Sequence, residues 1–155
     1  MPDDHDHADV LIPAPFAYAG FGLAVWLLDA VLPLPVPYAT TVRGLGAAMV
    51  VGGLLLGSVA LFRLLRAHTS VSPHRSSTAL VVDGPYRFTR NPIYLGFFLI
   101  YLGFTFIAGT AWGLVLCPLV PLVVNHLIIG AEERHLQAKF EREYEEYRSR
   151  VRRWI

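Results

Sequence analysis

"IYLGFFLIYLGFTFIAGTAWGLVLCPLVPLVVNHLIIGA", residues 93–131, runs for 39 residues without an Asp, Glu, Lys or Arg. A helix that crosses a membrane needs about 20 apolar residues. The run is therefore long enough for two crossings and a tight turn, and Ala108-Gly109-Thr110 near its middle supplies the turn. The reading is a helical hairpin with arms at Pro92–Ala108 and Trp112–Ile129. Pro118 and Pro121 fall inside the second arm and predict a kink, because proline removes a backbone donor and crowds the preceding turn.

The rest of the chain extends the pattern. Gly44 to Phe62 carries no charge, and Leu11 to Thr41 carries only Asp29. These runs predict two more crossings, Phe16–Leu34 and Arg43–Arg66, the first ended by Pro33, Pro35 and Pro37. Composition agrees: 54% of the residues are hydrophobic and 16% charged, against about 25% charged in an ordinary soluble domain. Mean hydropathy is +0.47. The expected fold class is all-α: an integral membrane protein with four transmembrane helices, a hairpin formed by spans three and four, and an amphipathic carboxyl-terminal helix. One membrane domain covers residues 1–155. Within it, 1–15 form a disordered tail, 16–66 spans one and two, 67–91 a cytoplasmic loop, 92–130 spans three and four, and 131–155 a cytoplasmic helix.

Charge placement orients this arrangement. Of the 13 Lys and Arg residues, Arg43 alone falls on the side opposite the 67–91 loop and the tail. Basic residues concentrate on the cytoplasmic side, so both termini are expected there. The net charge of +1 adds nothing. Cys117 is the only cysteine, which excludes an intrachain disulfide and a cysteine-based zinc cluster. No phosphate-binding loop is present, and neither a metal nor a nucleic-acid partner is expected. The acidic start, "MPDDHDHADV", reads as a solvated tail, although His5 and His7 among the aspartates allow weak metal binding.

Polar groups gather at the two ends of the long apolar run. Upstream is "DGPYRFTRNPIYLGF", residues 83–97. Asn91-Pro92 reads as a helix start, with Asn91 as N-cap and Pro92 at the first helical position. The free N–H groups and positive dipole end of that helix, with Arg87 and Arg90, make a receptor for a carboxylate or phosphate. Arg87 by itself is better read as a headgroup anchor. Arg90 and Tyr94 are four apart and share a helical face, and Gly96 leaves room for a ligand or another helix. Downstream, Asn125 and His126 lie near the end of the second arm and Glu132 and Glu133 follow it, with His126, Gly130 and Glu133 near one face. Polar groups at this depth face protein or a water-filled cavity. A hairpin brings its two ends together, and a pocket with guanidiniums on one side and carboxylates on the other suits a zwitterion. Beyond it, Leu136, Phe140, Tyr144, Tyr147 and Val151 form one apolar stripe, which suits either a helix lying on the membrane or a lid over the pocket.

"GPYRFTRNPIYLG" followed by "EERHLQAKFEREYEEYRSRVRRWI" resembles the isoprenylcysteine carboxyl methyltransferase and phospholipid methyltransferase superfamily of integral membrane enzymes. The pattern there is Gly-x-Tyr, then Arg-His/Asn-Pro-x-Tyr-x-Gly, a span, and Glu-Glu-x-x-Leu with Phe-Gly and Tyr-x-x-Tyr. The resemblance covers residues 79–155. It implies S-adenosylmethionine as cofactor, with Tyr86, Arg90, Asn91, Pro92, Tyr94, Gly96, His126, Glu132 and Glu133 as its site. It also implies catalytic roles for Glu133 and for Lys139, whose cation could hold an acceptor carboxylate. The chain departs from the pattern at Asn91, where eukaryotic members have His, at Glu141, where Gly is usual after Phe, and at Arg152, in place of Pro.

The implied activity is methyl transfer to a lipophilic acceptor at the cytoplasmic membrane face. An isoprenylcysteine-like carboxylate, a phospholipid amine and a small lipophilic thiol or amine all remain open, and membrane lipids are the expected partners. Alignment of the reactants and exclusion of water supply most of the acceleration in such a reaction. Arg90→Ala is expected to weaken cofactor binding. The rival readings are an NADPH-dependent membrane reductase related to sterol reductases and a non-enzymatic membrane adaptor. A bacterial inner membrane suits the chain. Asp29, inside the first span, is expected to reach water at the far side or to touch substrate.

Overall fold

A computed structural model describes residues 12–37, 40–69 and 79–155. The acidic tail with His5 and His7, and the middle of the 67–91 loop, lie outside the described residues. The ordered backbone within them is helical, with one isolated bridge between Pro35 and Thr110. Helices α1 (Ala14–Val31) and α2 (Thr40–Arg66) come first. A 3-10 turn at Gly84–Arg87 leads to α3 (Pro92–Ala108). Then α4 (Ala111–Leu116), α5 (Leu119–Val124), a π-turn at Asn125–Ile129 and α6 (Gly130–Arg150) succeed one another with little interruption.

Sequence chemistry accounts for the boundaries. Helix α1 stops at Val31, short of Pro33 and Pro35. Gly109 ends α3 in the left-handed region (φ 70°), the usual place for glycine after a helix. The break between α4 and α5 falls at Cys117-Pro118, as the prolines predict. There the Cys117 N–H tightens onto the Leu114 carbonyl at 3.2 Å. By length and composition, α1 and α2 can each cross a membrane, while α3 is apolar but shorter. Only 11% and 17% of their apolar windows are buried, so they are not core helices of a soluble protein. Phe16, Leu23, Trp26, Leu45, Leu55 and Phe62 point outward from them.

Helices α2 and α3 are held by two reciprocal glycine contacts. A Cβ on Gly53 would lie 2.5 Å from the Gly96 carbonyl oxygen, and one on Gly96 would lie 2.7 Å from that of Gly53. Two turns further along, Gly46 and Gly103 repeat the arrangement at 2.7 and 2.5 Å. The pairing of 46 with 103 and 53 with 96 shows that the helices run antiparallel, with backbones as close as small residues permit. Gly44 and Gly52 of the same helix face open space. The room left by Gly96 is thus filled by α2.

At one end of the molecule Asp29 fastens the connections. Its carboxylate accepts from the Thr110 hydroxyl at 2.6 Å and from the Leu34 N–H at 3.4 Å. The Trp112 indole donates to the Leu32 carbonyl at 2.8 Å. The residue therefore ties the α1–α2 connection to the α3–α4 turn.

At the other end, Tyr86, Tyr144, Tyr147 and Ala60 form a buried cluster, with Leu136, Phe140, Val151 and Ile93 packed against it. All five residues of the carboxyl-terminal stripe belong to this cluster. The stripe meets the end of α2, the 3-10 turn and the start of α3. Helix α6 bends to make this contact, at Glu141 (φ 40°, ψ −112°). That region favours glycine and costs another residue roughly 1–3 kcal/mol. The same position is one where the sequence departs from a Gly in the family pattern. Glu141→Gly is therefore expected to raise the unfolding midpoint in detergent. Relief of strain of ~1–3 kcal/mol amounts to a few degrees or more at this chain length. An unchanged or lower midpoint would show that the kink carries no strain.

Candidate functional site

The site is built where α3 starts, α6 starts and the chain ends. Asn91 stands at the N-cap position of α3 with Pro92 next, but its side chain does not cap the helix. Instead its amide donates to the Arg153 carbonyl at 3.0 Å. The Thr89 hydroxyl donates to the same oxygen at 3.0 Å and accepts from the Asn91 N–H at 3.1 Å. The Arg90 N–H donates to the Arg152 carbonyl at 3.0 Å. The sequence predicts a cap at Asn91, but a strap of terminal residues fixes the amide through its nitrogen and the side-chain oxygen makes no hydrogen bond to the N–H groups of α3.

Arg90, in the turn that leads into α3, meets Glu133 on the first turn of α6. The guanidinium donates to the Glu133 carboxylate at 2.8 Å and to the carbonyls of Arg148 and Val151 at 3.2 and 3.1 Å. Arg153 binds the same carboxylate through two nitrogens, at 3.1 and 2.5 Å. One acid thus serves two arginines. Burial raises the Glu133 pKa, but the Arg153 hydrogen bonds and the charges of Arg90 and Arg153 outweigh it, and the group sits below the ordinary carboxylate range. Glu133 is an ionised, fixed anion.

Glu132 differs. Its carboxylate accepts a short hydrogen bond from the Tyr94 hydroxyl. Burial pushes its pKa up to about 7, with the Tyr94 bond lowering it and the neighbouring Glu133 charge raising it. In the unfolded chain it would titrate near 4.5. The folded state therefore holds the proton more tightly, and this contribution to stability is present below the unfolded value and lost as pH rises through about 7. The shift corresponds to something on the order of 3 kcal/mol. Between pH 4.5 and 7 the wild type is expected to lose stability that a Glu132→Gln variant keeps. Unfolding midpoints of both proteins across that range check it. Parallel profiles would mean that Glu132 ionises normally.

Tyr94 also borders an apolar cavity of 480 Å³ between α1, α2 and α3, lined among others by Pro13, Gly57, Ile93 and Phe97. The Tyr18 hydroxyl of α1 donates to the Tyr94 carbonyl at 2.9 Å, which sets the wall on that side. An apolar recess therefore opens beside a tyrosine that touches a carboxylate.

The structure brings together Arg90, Asn91, Pro92, Tyr94, Glu132 and Glu133 of the residues named from sequence. Tyr86, from the neighbouring aromatic cluster, also stands within electrostatic reach of Glu132 and Tyr94, whereas Gly96 and His126 lie apart. Gly96 lies in the α2 contact. Tyr86 is buried in the aromatic cluster, where its carbonyl accepts from the Tyr147 hydroxyl at 2.7 Å. His126 is exposed while Glu133 is half-buried. The π-turn between them explains this: it adds a residue to one turn and rotates the helix beyond it, so a spacing of seven no longer shares a face. Lys139 is exposed on α6. Sequence reasoning misses three residues of the site, Arg153, Trp154 and Thr89. The Trp154 indole donates to the Asn125 side chain at 3.1 Å and ties the strap to the π-turn. The only signal for Arg153 and Trp154 is the polar-aromatic ending "VRRWI" after an otherwise complete stripe, and for Thr89 its place beside Arg90 and Asn91.

The sequence model of the phospholipid methyltransferase family matches residues 42–143. A protein-S-isoprenylcysteine O-methyltransferase of Schizosaccharomyces pombe is 34% identical over 85 residues, which is 55% of this chain and 36% of that protein. The chain thus aligns with little more than a third of that relative's length. An uncharacterized protein of Haemophilus influenzae is 36% identical over 63 residues, 41% of this chain and the whole of that one. No solved structure matches significantly. The matched segment is well over half of the chain and contains nearly all of α2, all of α3, and Arg90 and Glu133 of the ion cluster, and the chain belongs to the phospholipid methyltransferase family.

Proposed function

We propose that this protein is an S-adenosylmethionine-dependent methyltransferase that modifies a lipophilic acceptor at the cytoplasmic face of a membrane. The observation that carries the reading is the meeting of Arg90, just before α3, and Tyr94 on α3 with Glu133 and Glu132 on α6, beside an apolar cavity that Tyr94 lines. Helices α1, α2, α3 and the kinked segment from α4 through the π-turn are read as four crossings. Arg43 then lies near Gly109 at the far end, and the arginines of the site lie at the cytoplasmic end, in a bacterial inner membrane for preference.

The donor set fits the cofactor. Its ammonium matches Glu132 and Glu133, and its carboxylate matches the guanidiniums. Arg90 Nε is a buried donor with no acceptor among the described residues, which a ligand oxygen would satisfy. When bound, the cofactor supplies an electrophilic methyl group on a sulfonium. Glu133, held ionised by two arginines, orients the amino-acid portion. Tyr94, which donates to Glu132, lines the cavity, where an acceptor's apolar part would be excluded from water. An amine or thiol acceptor must lose a proton, and Glu132 is the group placed to take it. A carboxylate acceptor needs no base, and Lys139 remains the proposed partner for it.

Calorimetric titration of the detergent-purified protein with S-adenosylmethionine and, separately, with NADPH tests the reading. Heat from the first alone is the expected result. Heat from NADPH alone would replace the reading with a reductase. Silence from both, in a folded sample, would remove the methyltransferase reading in favour of an adaptor.

A further inference from the structure

Two guanidiniums share one carboxylate in the site, so the Arg90–Glu133–Arg153 cluster carries a net charge of +1 (two positive, one negative). That excess charge is accessible at only one of the two arginines. Arg90 has a side chain 9% exposed. Its two terminal nitrogens donate to the Arg148 and Val151 carbonyls and to Glu133, and its Nε, which has no acceptor among the described residues, is buried away from the surface. Arg153 is 37% exposed. It gives Glu133 its Nε and one terminal nitrogen, the side-on edge of the guanidinium. The end-on edge, which includes the other terminal nitrogen, has no partner among the described residues. A guanidinium offers two such edges, each able to grip an oxyanion with parallel N–H bonds.

The arginine is also held rigidly. Its own carbonyl accepts from Thr89 and Asn91, and the next residue, Trp154, is anchored on Asn125. A fixed guanidinium loses less freedom on binding than a mobile one. The remaining charged groups around the cluster do not cancel it. Glu132 faces Tyr94, while Arg148, Arg150 and Arg152 add positive charge on the exposed side of the strap.

We propose that Arg153 is the oxyanion-binding residue of the site: its end-on edge takes a carboxylate or phosphate, and Arg90 and Glu133 hold it in position. The anion has two possible sources of shared chemistry, the carboxylate of the cofactor's amino-acid portion and the phosphate of a lipid headgroup. The first rests on the function proposed above; the second does not.

The test compares wild type with Arg153→Gln and Arg153→Lys, each first shown to be folded by its unfolding transition. Binding is measured by calorimetry for S-adenosylhomocysteine, for decarboxylated S-adenosylmethionine, and for short-chain phosphatidylglycerol in neutral detergent. If the cofactor is the source, Arg153→Gln weakens S-adenosylhomocysteine about tenfold or more and leaves the decarboxylated ligand unchanged, since a charged hydrogen bond of this kind is worth at least that factor. The Lys variant, which keeps the charge but loses the fork, falls between. If the lipid is the source, only phosphatidylglycerol binding drops. Equal weakening of both adenosyl ligands, or no change in any of the three, overturns the proposal. Wild type that binds neither adenosyl ligand, yet binds phosphatidylglycerol through Arg153, would overturn the proposed function and leave this inference standing.

Discussion

Glu133→Gln is expected to lower stability by about 3–5 kcal/mol, the usual cost of leaving a buried charge without its partner. The substitution keeps the size of the side chain and removes only its charge. Arg90 cannot escape to water, because its side chain is 9% exposed and three of its hydrogen bonds end on the α6 segment and the strap. Glu133 itself is 12% exposed, so solvent screens its pairing with Arg90 little, and its pairing with the 37% exposed Arg153 more. At this chain length the loss amounts to a fall of roughly 10 °C or more in the unfolding midpoint. Glu143→Gln, on an exposed position of the same helix, serves as the comparison and is expected to change stability by no more than about 0.5 kcal/mol. Equal midpoints for the two variants would show that the cluster does not hold α3, α6 and the strap together. The same Glu133 variant is expected to lose most of its affinity for S-adenosylmethionine, and calorimetry on the fraction that folds reads this separately.

Gly96→Val carries the second large effect. A Cβ there meets the Gly53 carbonyl oxygen at 2.7 Å, then the Gly57 backbone nitrogen at 3.2 Å and Cα at 3.4 Å. All three are backbone atoms, so no side-chain rotation relieves the clash. Helices α2 and α3 would have to separate, breaking the matching Gly46–Gly103 contact as well. Overpacking in a core costs about 1–3 kcal/mol when side chains can adjust, and here more is expected, up to failure to recover folded protein. Gly96→Ala is the milder probe and should cost about 1–3 kcal/mol. Gly44→Ala, where nothing lies within 4 Å, should be neutral or gain up to about 1 kcal/mol from helix propensity. If Gly96→Ala behaved like Gly44→Ala, close approach of α2 and α3 would be excluded.

Much of the helical layout was legible because it depends on local chemistry. Pro92 and Gly109 bound α3 at the positions expected from sequence, and Pro118 breaks the helix after it. The apolar stripe of α6 was likewise readable, as its period is a property of one helix. The surface that the stripe touches was not. An interfacial helix and a packed one have the same pattern, and only the folded chain shows Tyr144 and Tyr147 against Ala60 and Tyr86.

The same division runs through the site. Sequence alone determined that an arginine-tyrosine doorway and a pair of glutamates flank a hairpin, because a charge-free run of 39 residues must fold back on itself to bring its ends together. It also determined that Gly96 leaves room for a ligand or another helix. Tertiary structure decided which partners those groups choose. His126 leaves the site because a π-turn changes the helical register, a shift of one residue that no periodicity announces. Arg153 enters it because the bend at Glu141 turns the last residues back onto α3. Hydrogen bonding between segments so far apart in the chain is settled by geometry after folding, when Thr89, Arg90 and Asn91 find carbonyls of the strap within reach.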